Sequence, residues 1–201
     1  MAWKKDGYQI IKKALSQDLV EVLAAEFRMN RDVTYHQANV DRRYRFAFGD
    51  ELVRNSFIRY SLPGLESLQS TVLQRIVEKH TRLKLVPTYT YGRIYYHGAK
   101  MALHHDRPSC EVSVSLCLAD DGVKWPLGLI NRQGKKVYAH LNPGDILIYA
   151  GCELYHWRDK YKGREQIQAF LHYVQDLPKN RKLKFDGRPM LGLDPIKKGK
   201  K

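Results

Sequence analysis

The hydrophobic residues change their spacing near Pro87, from a helical repeat before it to an alternating one after it. Before Pro87, apolar residues recur every three or four positions in two segments, which predicts amphipathic helices over residues 16–29 and 65–80. A short strand over residues 7–15 precedes the first helix. The polar stretch over residues 30–50 is predicted as loop with some extended pieces.

After Pro87, apolar and polar residues alternate in several short segments separated by Gly, Pro and Asn. A period of two places successive side chains on opposite faces of a strand. The predicted strands are residues 89–96, 111–118, 136–140, 145–149 and 166–174. Helices followed by many short strands predict an α+β chain whose main body is a β-sandwich or jelly roll.

The composition fits a globular chain of one domain, with 201 residues, 43% hydrophobic and 28% charged. No apolar run approaches the roughly 18 residues of a membrane helix, and the start of the chain lacks the features of a secretory leader. Three cysteines without a Cys-x-x-Cys pair exclude a disulfide scaffold and a cysteine-based zinc finger. We therefore expect a cytoplasmic protein with reduced thiols and no membrane partner.

The charge is uneven along the chain. Lysine and arginine number 35 against 21 acidic residues, and the net charge is +14. Residues 178–201 hold nine of the basic residues and two acidic ones, so this segment alone carries +7. We interpret residues 1–177 as the folded domain and residues 178–201 as a basic tail. Such a tail either improves solubility or attracts a polyanion such as nucleic acid.

Two histidines and an aspartate have the spacing of a metal site. On a strand, His104 and Asp106 lie on one face while His105 points the other way. His156 follows the predicted strand over residues 145–149. Two imidazoles and one carboxylate on facing strands form the facial triad of non-haem iron enzymes, which leaves coordination positions open.

Several motifs resemble those of one enzyme family, the Fe(II)/2-oxoglutarate dioxygenases of prolyl 4-hydroxylase type. The segment from Tyr95 to Asp106 is similar to their Tyr-x-x-Gly-(x)5-His-x-Asp motif. Further matches follow in the family's order, and the resemblance as a whole spans nearly all of residues 6–175. They are the Leu-Ala-Asp strand end at 118–120, the Asn-Pro-Gly-Asp turn at 142–145 and the Leu-Tyr-His segment at 154–156.

The resemblance implies a double-stranded β-helix (jelly-roll, cupin-like) core with supporting N-terminal helices. It implies that His104, Asp106 and His156 bind Fe(II), that 2-oxoglutarate and O2 are cosubstrates, and that Tyr95 lies beside the 2-oxoglutarate. The implied reaction is hydroxylation of a C–H bond, and we expect the target to be a protein or peptide side chain, as in prolyl hydroxylases.

The family anchors the distal carboxylate of 2-oxoglutarate with an Arg or Lys after the second histidine, because a guanidinium matches a carboxylate. Counting forward from His156 reaches Arg158 and then Arg164, whereas aligning the last strand places Gln166 at the anchor position. We expect Arg164 to be the anchor, because alternation along the last strand would place it on the same face as Gln166, which would add a neutral hydrogen bond. Arg158 and then Arg107 are the alternatives.

The positive charge keeps two other functions open. One is an oxidative hydroxylase or demethylase acting on nucleic acid, which would require a flipped or single-stranded base. The other is a non-catalytic nucleic-acid-binding protein on a cupin-like scaffold. The sequence does not indicate the oligomeric state.

Overall fold

Ten strands form two antiparallel sheets in the computed structural model of this chain, which describes residues 2–40 and 48–193. The larger sheet has the order β1-β8-β5-β10-β3-β2, and the smaller has the order β4-β9-β6-β7. The larger sheet contains β1 (Tyr8–Ile11), β2 (Ser56–Tyr60), β3 (Leu85–Tyr96), β5 (Val112–Ala119), β8 (Ile146–Tyr149) and β10 (Glu165–Gln175). The smaller contains β4 (Met101–His104), β6 (Leu127–Ile130), β7 (Lys136–Ala139) and β9 (His156–Arg158).

The two sheets face each other across a shared interior, which is the predicted jelly-roll arrangement. His156 of the smaller sheet contacts Tyr149 of the larger one, with ring centroids 5.0 Å apart. Near the other end of the interior, Trp125 meets Tyr95 of β3 at 4.9 Å. Side chains from both sheets therefore meet in a common interior.

Helices cover the outer face of the larger sheet. They are α1 (Ala2–Asp6), α2 (Gln17–Val40), α3 (Pro63–Leu68) and α4 (Gln74–Thr81), with a π-helical turn at Gln69–Leu73 between the last two. Phe27 of α2 lies against Gly92 of β3 so closely that a side chain at Gly92 would overlap the ring. None of the helices in the described ranges is long and apolar enough to span a bilayer.

Helix α2 continues to Val40, so the loop predicted from residue 30 onward is wrong for residues 30–40. This part of the helix is mostly polar and buries few apolar side chains, which hides it from a search for an apolar stripe, and ion pairs near its start join it to the sheet. Arg28 and Arg31 bond to Glu165 of β10 at 3.0 and 2.7 Å. Residues 41–47 of the same predicted loop lie outside the described residues.

Strands β2, β6 and β9 were not predicted, because each is short and lacks a clean alternation. The sequence of β6 is Leu-Gly-Leu-Ile, in which a glycine interrupts a continuous apolar run. The five predicted strands after Pro87 all exist, with ends that differ by up to four residues.

The described part of the basic segment, residues 178–193, packs against the domain and does not extend freely into solvent. Arg188 is buried and forms an ion pair with the buried Glu66 of α3 at 2.8 Å. The same guanidinium donates to the Ser61 hydroxyl at 2.8 Å and to the Thr88 carbonyl at 3.1 Å. These contacts correct the picture of a free tail, since one buried arginine leaves no periodic signal in the sequence.

A second contact joins this segment to the loop that follows β4. The Asp186 carboxylate accepts hydrogen bonds from both terminal nitrogens of Arg107, at 2.8 and 2.7 Å, and from the Ser109 hydroxyl at 2.9 Å. The division of the chain at residue 177 stays a prediction, and residues 194–201 lie outside the described ranges.

Candidate metal centre

The three predicted metal ligands come together at one end of the interior. His104 ends β4 and pairs with His156, the first residue of β9, while Asp106 lies just beyond β4. Their potential ligand atoms all lie within 4.8 Å of one another. The Asp106 Oδ1 atom is 3.5 Å from His156 Nε2 and 3.9 Å from His104 Nε2.

Backbone carbonyl groups orient both imidazole rings. His104 Nδ1 lies 2.9 Å from the carbonyl oxygen of Ala102, and His156 Nδ1 lies 2.9 Å from that of Leu154. A carbonyl oxygen only accepts, so each Nδ1 carries the proton and each Nε2 presents its lone pair toward Asp106. Burial, together with the neighbouring His156, lowers the pKa of His104 and favours its neutral form.

The Asp106 carboxylate is held in its ionised form. Burial alone would raise its pKa, but the neighbouring His156 and His172 imidazoles and the hydrogen bond from Ser113 lower the pKa to about 2. The Ser113 hydroxyl donates to Asp106 Oδ2 at 2.9 Å, and the Asp106 backbone N–H donates to the Gly151 carbonyl at 2.9 Å. A Cβ atom at Gly151 would overlap both Asp106 Oδ2 and Ser113 Oγ, so this close approach requires glycine.

His105 points away from the cluster, as the alternation predicts. Its side chain is exposed and stacks on Tyr155 with ring centroids 3.6 Å apart. The cluster thus offers two imidazole nitrogens and one carboxylate oxygen, a donor set that could hold a divalent metal ion.

The inner face of the larger sheet beside this cluster is unusually polar and aromatic. Buried polar groups need partners, so a surface of this kind suits a ligand better than a dry core. The residues that form it are Tyr89, Tyr91, Arg93 and Tyr95 of β3, Ser113, Ser115 and Cys117 of β5, and Gln166, Gln168, Phe170 and His172 of β10.

Arg158 is the one buried cation that faces this interior without a carboxylate in reach, within the ranges that the structure describes. Its side chain is 2% exposed, lies 4.6 Å over the Trp125 ring and donates to the Trp125 carbonyl at 2.6 Å. The Tyr95 ring, which packs against Trp125, lies 6.0 Å from the guanidinium. Burial lowers the pKa of Arg158, which reflects the cost of a charge without a counter-ion.

Two glutamines extend the polar surface around Arg158. Gln166 lies opposite Tyr95 in the β3–β10 ladder, and Gln168 accepts a hydrogen bond from Ser115 at 3.1 Å. Three of the buried atoms here, Arg158 Nε, Gln166 Oε1 and Gln168 Nε2, have no hydrogen-bond partner among the described residues. All three side chains neighbour Cys117, whose thiol pKa burial raises to about 12.

Arg164 lies on the outside of the fold, which corrects the expectation that it faces the interior. Strand β10 begins at Glu165, so the alternation that was expected to align Arg164 with Gln166 does not reach it. Its side chain is exposed and lines a surface groove, and its backbone N–H donates to Asp121. Arg107 is half exposed and bound to Asp186, so neither arginine replaces Arg158 in the interior.

No family model and no curated protein matches this sequence, whereas many solved structures resemble its fold. A prolyl-4-hydroxylase from Pseudomonas putida has a TM-score of 0.66 at 19% identity, covering 88% of this chain and 96% of that one. HygX from Streptomyces hygroscopicus, solved with nickel and 2-oxoglutarate bound, has a TM-score of 0.66 at 12% identity, covering 87% and 85%.

The epimerase SnoN from nogalamycin biosynthesis, described as non-heme and alpha-ketoglutarate dependent, has a TM-score of 0.68 at 13% identity. The matched region covers 98% of this chain and 88% of the SnoN chain. Similarity at these identities establishes the fold, and it confirms the predicted double-stranded β-helix core with N-terminal helices.

Proposed function

We propose that this protein is a non-haem Fe(II)- and 2-oxoglutarate-dependent dioxygenase that hydroxylates a C–H bond. The observation that carries the proposal is the pairing of the His104, Asp106 and His156 cluster with the uncompensated Arg158 farther along the same interior. Such an arrangement accommodates a metal ion at the cluster and an anion that binds the metal with one group and Arg158 with another.

The donor set fits iron. Both Nε2 atoms and Asp106 Oδ1 converge on one face, which leaves the opposite side open for additional ligands. Neutral imidazole and carboxylate suit Fe(II), whereas a structural zinc site would close its coordination with a fourth protein ligand, commonly a thiolate.

The interior also fits a dicarboxylic acid. Arg158 Nε, Gln166 Oε1 and Gln168 Nε2 are buried atoms that still need partners among the described groups. A carboxylate beside Arg158 would supply the missing counter-charge and accept from the guanidinium with two parallel bonds. Tyr95, predicted to lie beside the 2-oxoglutarate, packs on Trp125 and stands next to Arg158, where it would shape the wall of this pocket.

Iron with 2-oxoglutarate and O2 supplies the oxidising chemistry, in which 2-oxoglutarate loses CO2 to become succinate and a C–H bond gains an oxygen atom. The protein's own part is positioning. Carbonyl groups aim the two imidazoles, Ser113 and Gly151 fix the Asp106 carboxylate, and Arg158 holds the far end of the cosubstrate in a buried environment.

For the substrate, we propose a protein or peptide side chain. The support is the motif order from Tyr95 to His156, which resembles prolyl 4-hydroxylases, together with the shared fold and length of the Pseudomonas putida enzyme. Fold and cofactor alone do not determine the target.

A nucleic-acid target is the second candidate, because two segments that meet in the fold both carry exposed basic residues. The turn after α4 adjoins the start of the basic segment, where the Asp176 backbone N–H donates to the Lys84 carbonyl at 2.8 Å. Phosphate groups favour such a surface, and binding through it would weaken as salt increases. The exposed basic residues are Arg82, Lys84, Lys179, Arg181 and Lys182.

The test is succinate formation from 2-oxoglutarate by the full chain with added Fe(II). The wild-type protein should form succinate, and the His156→Ala and Asp106→Ala variants should not, while His105→Ala should keep most of the activity. Absence of iron-dependent succinate formation would favour the non-catalytic binding protein. Proline-containing peptides and single-stranded oligonucleotides, added in parallel, separate the two substrate classes by which one stimulates turnover and gains oxygen.

A further inference from the structure

A short chain of hydrogen bonds connects the Asp106 carboxylate to a histidine on the opposite sheet. Ser113 Oγ of β5 lies 2.9 Å from Asp106 Oδ2 and 2.9 Å from His172 Nδ1 of β10. His172 is 1% exposed, and its Nε2 has no partner within the described part of the chain.

The proton positions in this series of hydrogen bonds follow from the number of donors and acceptors that each group offers. The Ser113 hydroxyl has one proton and two acceptor lone pairs. The ionised Asp106 carboxylate at 2.9 Å is a stronger acceptor than the Cys110 carbonyl at 3.2 Å, so the proton points to Asp106. His172 must then donate its Nδ1–H to Ser113 Oγ.

The backbone holds His172 in place through an irregularity in the sheet. Two residues of β3, Thr88 and Tyr89, lie opposite His172 where the β3–β10 register shifts. The His172 carbonyl accepts from the Gln69 amide at 2.6 Å and from the Thr88 hydroxyl at 3.0 Å. The Tyr89 ring stacks on the imidazole at 4.6 Å. Bulges of this kind redirect side chains next to functional sites.

We propose that His172 and Ser113 are positioning residues that determine which oxygen of Asp106 faces the metal. The His172 Nδ1–H donates to Ser113, Ser113 donates to Oδ2, and Oδ1 remains oriented toward His156 Nε2 at 3.5 Å. This proposal rests on the proposed function, because it assigns Asp106 to the metal. Groups that orient a metal ligand typically contribute 10- to 100-fold to metal affinity, by the general rule for such outer partners.

The experiment measures Co(II) binding to the metal-free protein by calorimetry and visible absorption. Ser113→Ala and His172→Phe should each weaken binding by roughly 10- to 100-fold. His172→Asn should retain most of the affinity, because its amide N–H can occupy the place of Nδ1. The double variant should bind about as weakly as Ser113→Ala alone, since His172 acts only through Ser113. His105→Phe is the control for loss of a nearby histidine.

The melting temperature of each metal-free variant separates positioning from a purely structural role. If His172→Phe lowers the melting temperature but binds Co(II) as tightly as the wild type, the positioning role is overturned. Should His172→Phe fail to fold, the Co(II) affinity of Ser113→Ala tests the proposal, because this variant removes only a hydroxyl group. An affinity equal to that of the wild type would then overturn the positioning role. A wild-type protein that does not bind Co(II) would overturn the proposed function itself, and the positioning role with it.

Discussion

Arg158 lies two residues beyond His156 on β9, and both side chains are buried on the same face of the strand. Two residues of a strand span about 7 Å, so the guanidinium and the metal-facing imidazole line the interior at that spacing. In the proposed function, a short dicarboxylic acid would bind the metal with one end and Arg158 with the other.

Replacing Arg158 with methionine should stabilise the metal-free protein. A buried charge without a counter-ion costs several kcal/mol, and methionine fills a similar volume without that penalty. We expect the Arg158→Met variant to gain about 1–4 kcal/mol in the free energy of unfolding, measured by denaturant titration. Arg188→Met is the matched control and should lose stability, because it leaves Glu66 buried without its partner. Loss of stability in both variants would contradict the view that Arg158 is a destabilising buried charge.

Gly151→Ala should remove metal binding from a protein that still folds. The added methyl group would overlap Asp106 Oδ2 and Ser113 Oγ, which forces the ligand away from the two histidines. The control is Gly134→Ala, where the methyl group meets nothing within 4 Å but the backbone has a positive φ. Equilibrium dialysis with Co(II) should show loss of binding only for Gly151→Ala, and retained binding would show that the loop can adjust.

The alternation of His104, His105 and Asp106 predicted that His104 and Asp106 converge while His105 turns away, and they do so although β4 ends at His104. The choice of Arg164 failed because it extended the alternation of β10 one residue beyond its true start at Glu165. The decisive property of Arg158, burial without a counter-ion, depends on Trp125 and Tyr95, which approach it from other segments of the chain.

Other site features also depend on contacts between distant parts of the chain. The role of Gly151 arises from its approach to Asp106, and nothing near Gly151 in the sequence signals it. The C-terminal half of α2 escaped prediction because its contacts are with distant residues, such as Glu165 of β10, which pairs with Arg31, and Phe48, which stacks on Tyr35. Local periodicity could therefore predict the fold class and the convergence of His104, Asp106 and His156, but not the contacts that surround them.

Deleting residues 178–201 should destabilise the domain without preventing it from folding. The deletion removes Arg188 and leaves Glu66 buried without a counter-ion, a change that typically costs about 3–5 kcal/mol. Adding Glu66→Gln to the truncated chain should recover part of the loss. The midpoint of urea unfolding checks both variants, and an unchanged midpoint after truncation would show that the segment's contacts contribute little.

Acid should weaken the fold partly through His172. Burial lowers its pKa from the ordinary value of 6.5 to about 4, so between these pH values the unfolded chain binds more protons than the folded one. The free energy of unfolding therefore rises with pH across this window and falls by on the order of 3 kcal/mol as the pH drops through it. Urea titrations from pH 4 to 7 give the free energy of unfolding at each pH, and this energy should change less with pH for His172→Phe than for the wild type. The same pH dependence in both proteins would contradict the role of His172.

The most direct test of the central claim is anaerobic calorimetric titration of 2-oxoglutarate into the Fe(II)-loaded protein. The wild-type protein should bind 2-oxoglutarate only when the metal is present. Arg158→Met should weaken that binding at least tenfold, about 1.4 kcal/mol, whereas the exposed Arg164→Met should bind like the wild type. Absence of 2-oxoglutarate binding to the Fe(II)-loaded wild type, or weakening by Arg164→Met in place of Arg158→Met, would contradict the central claim.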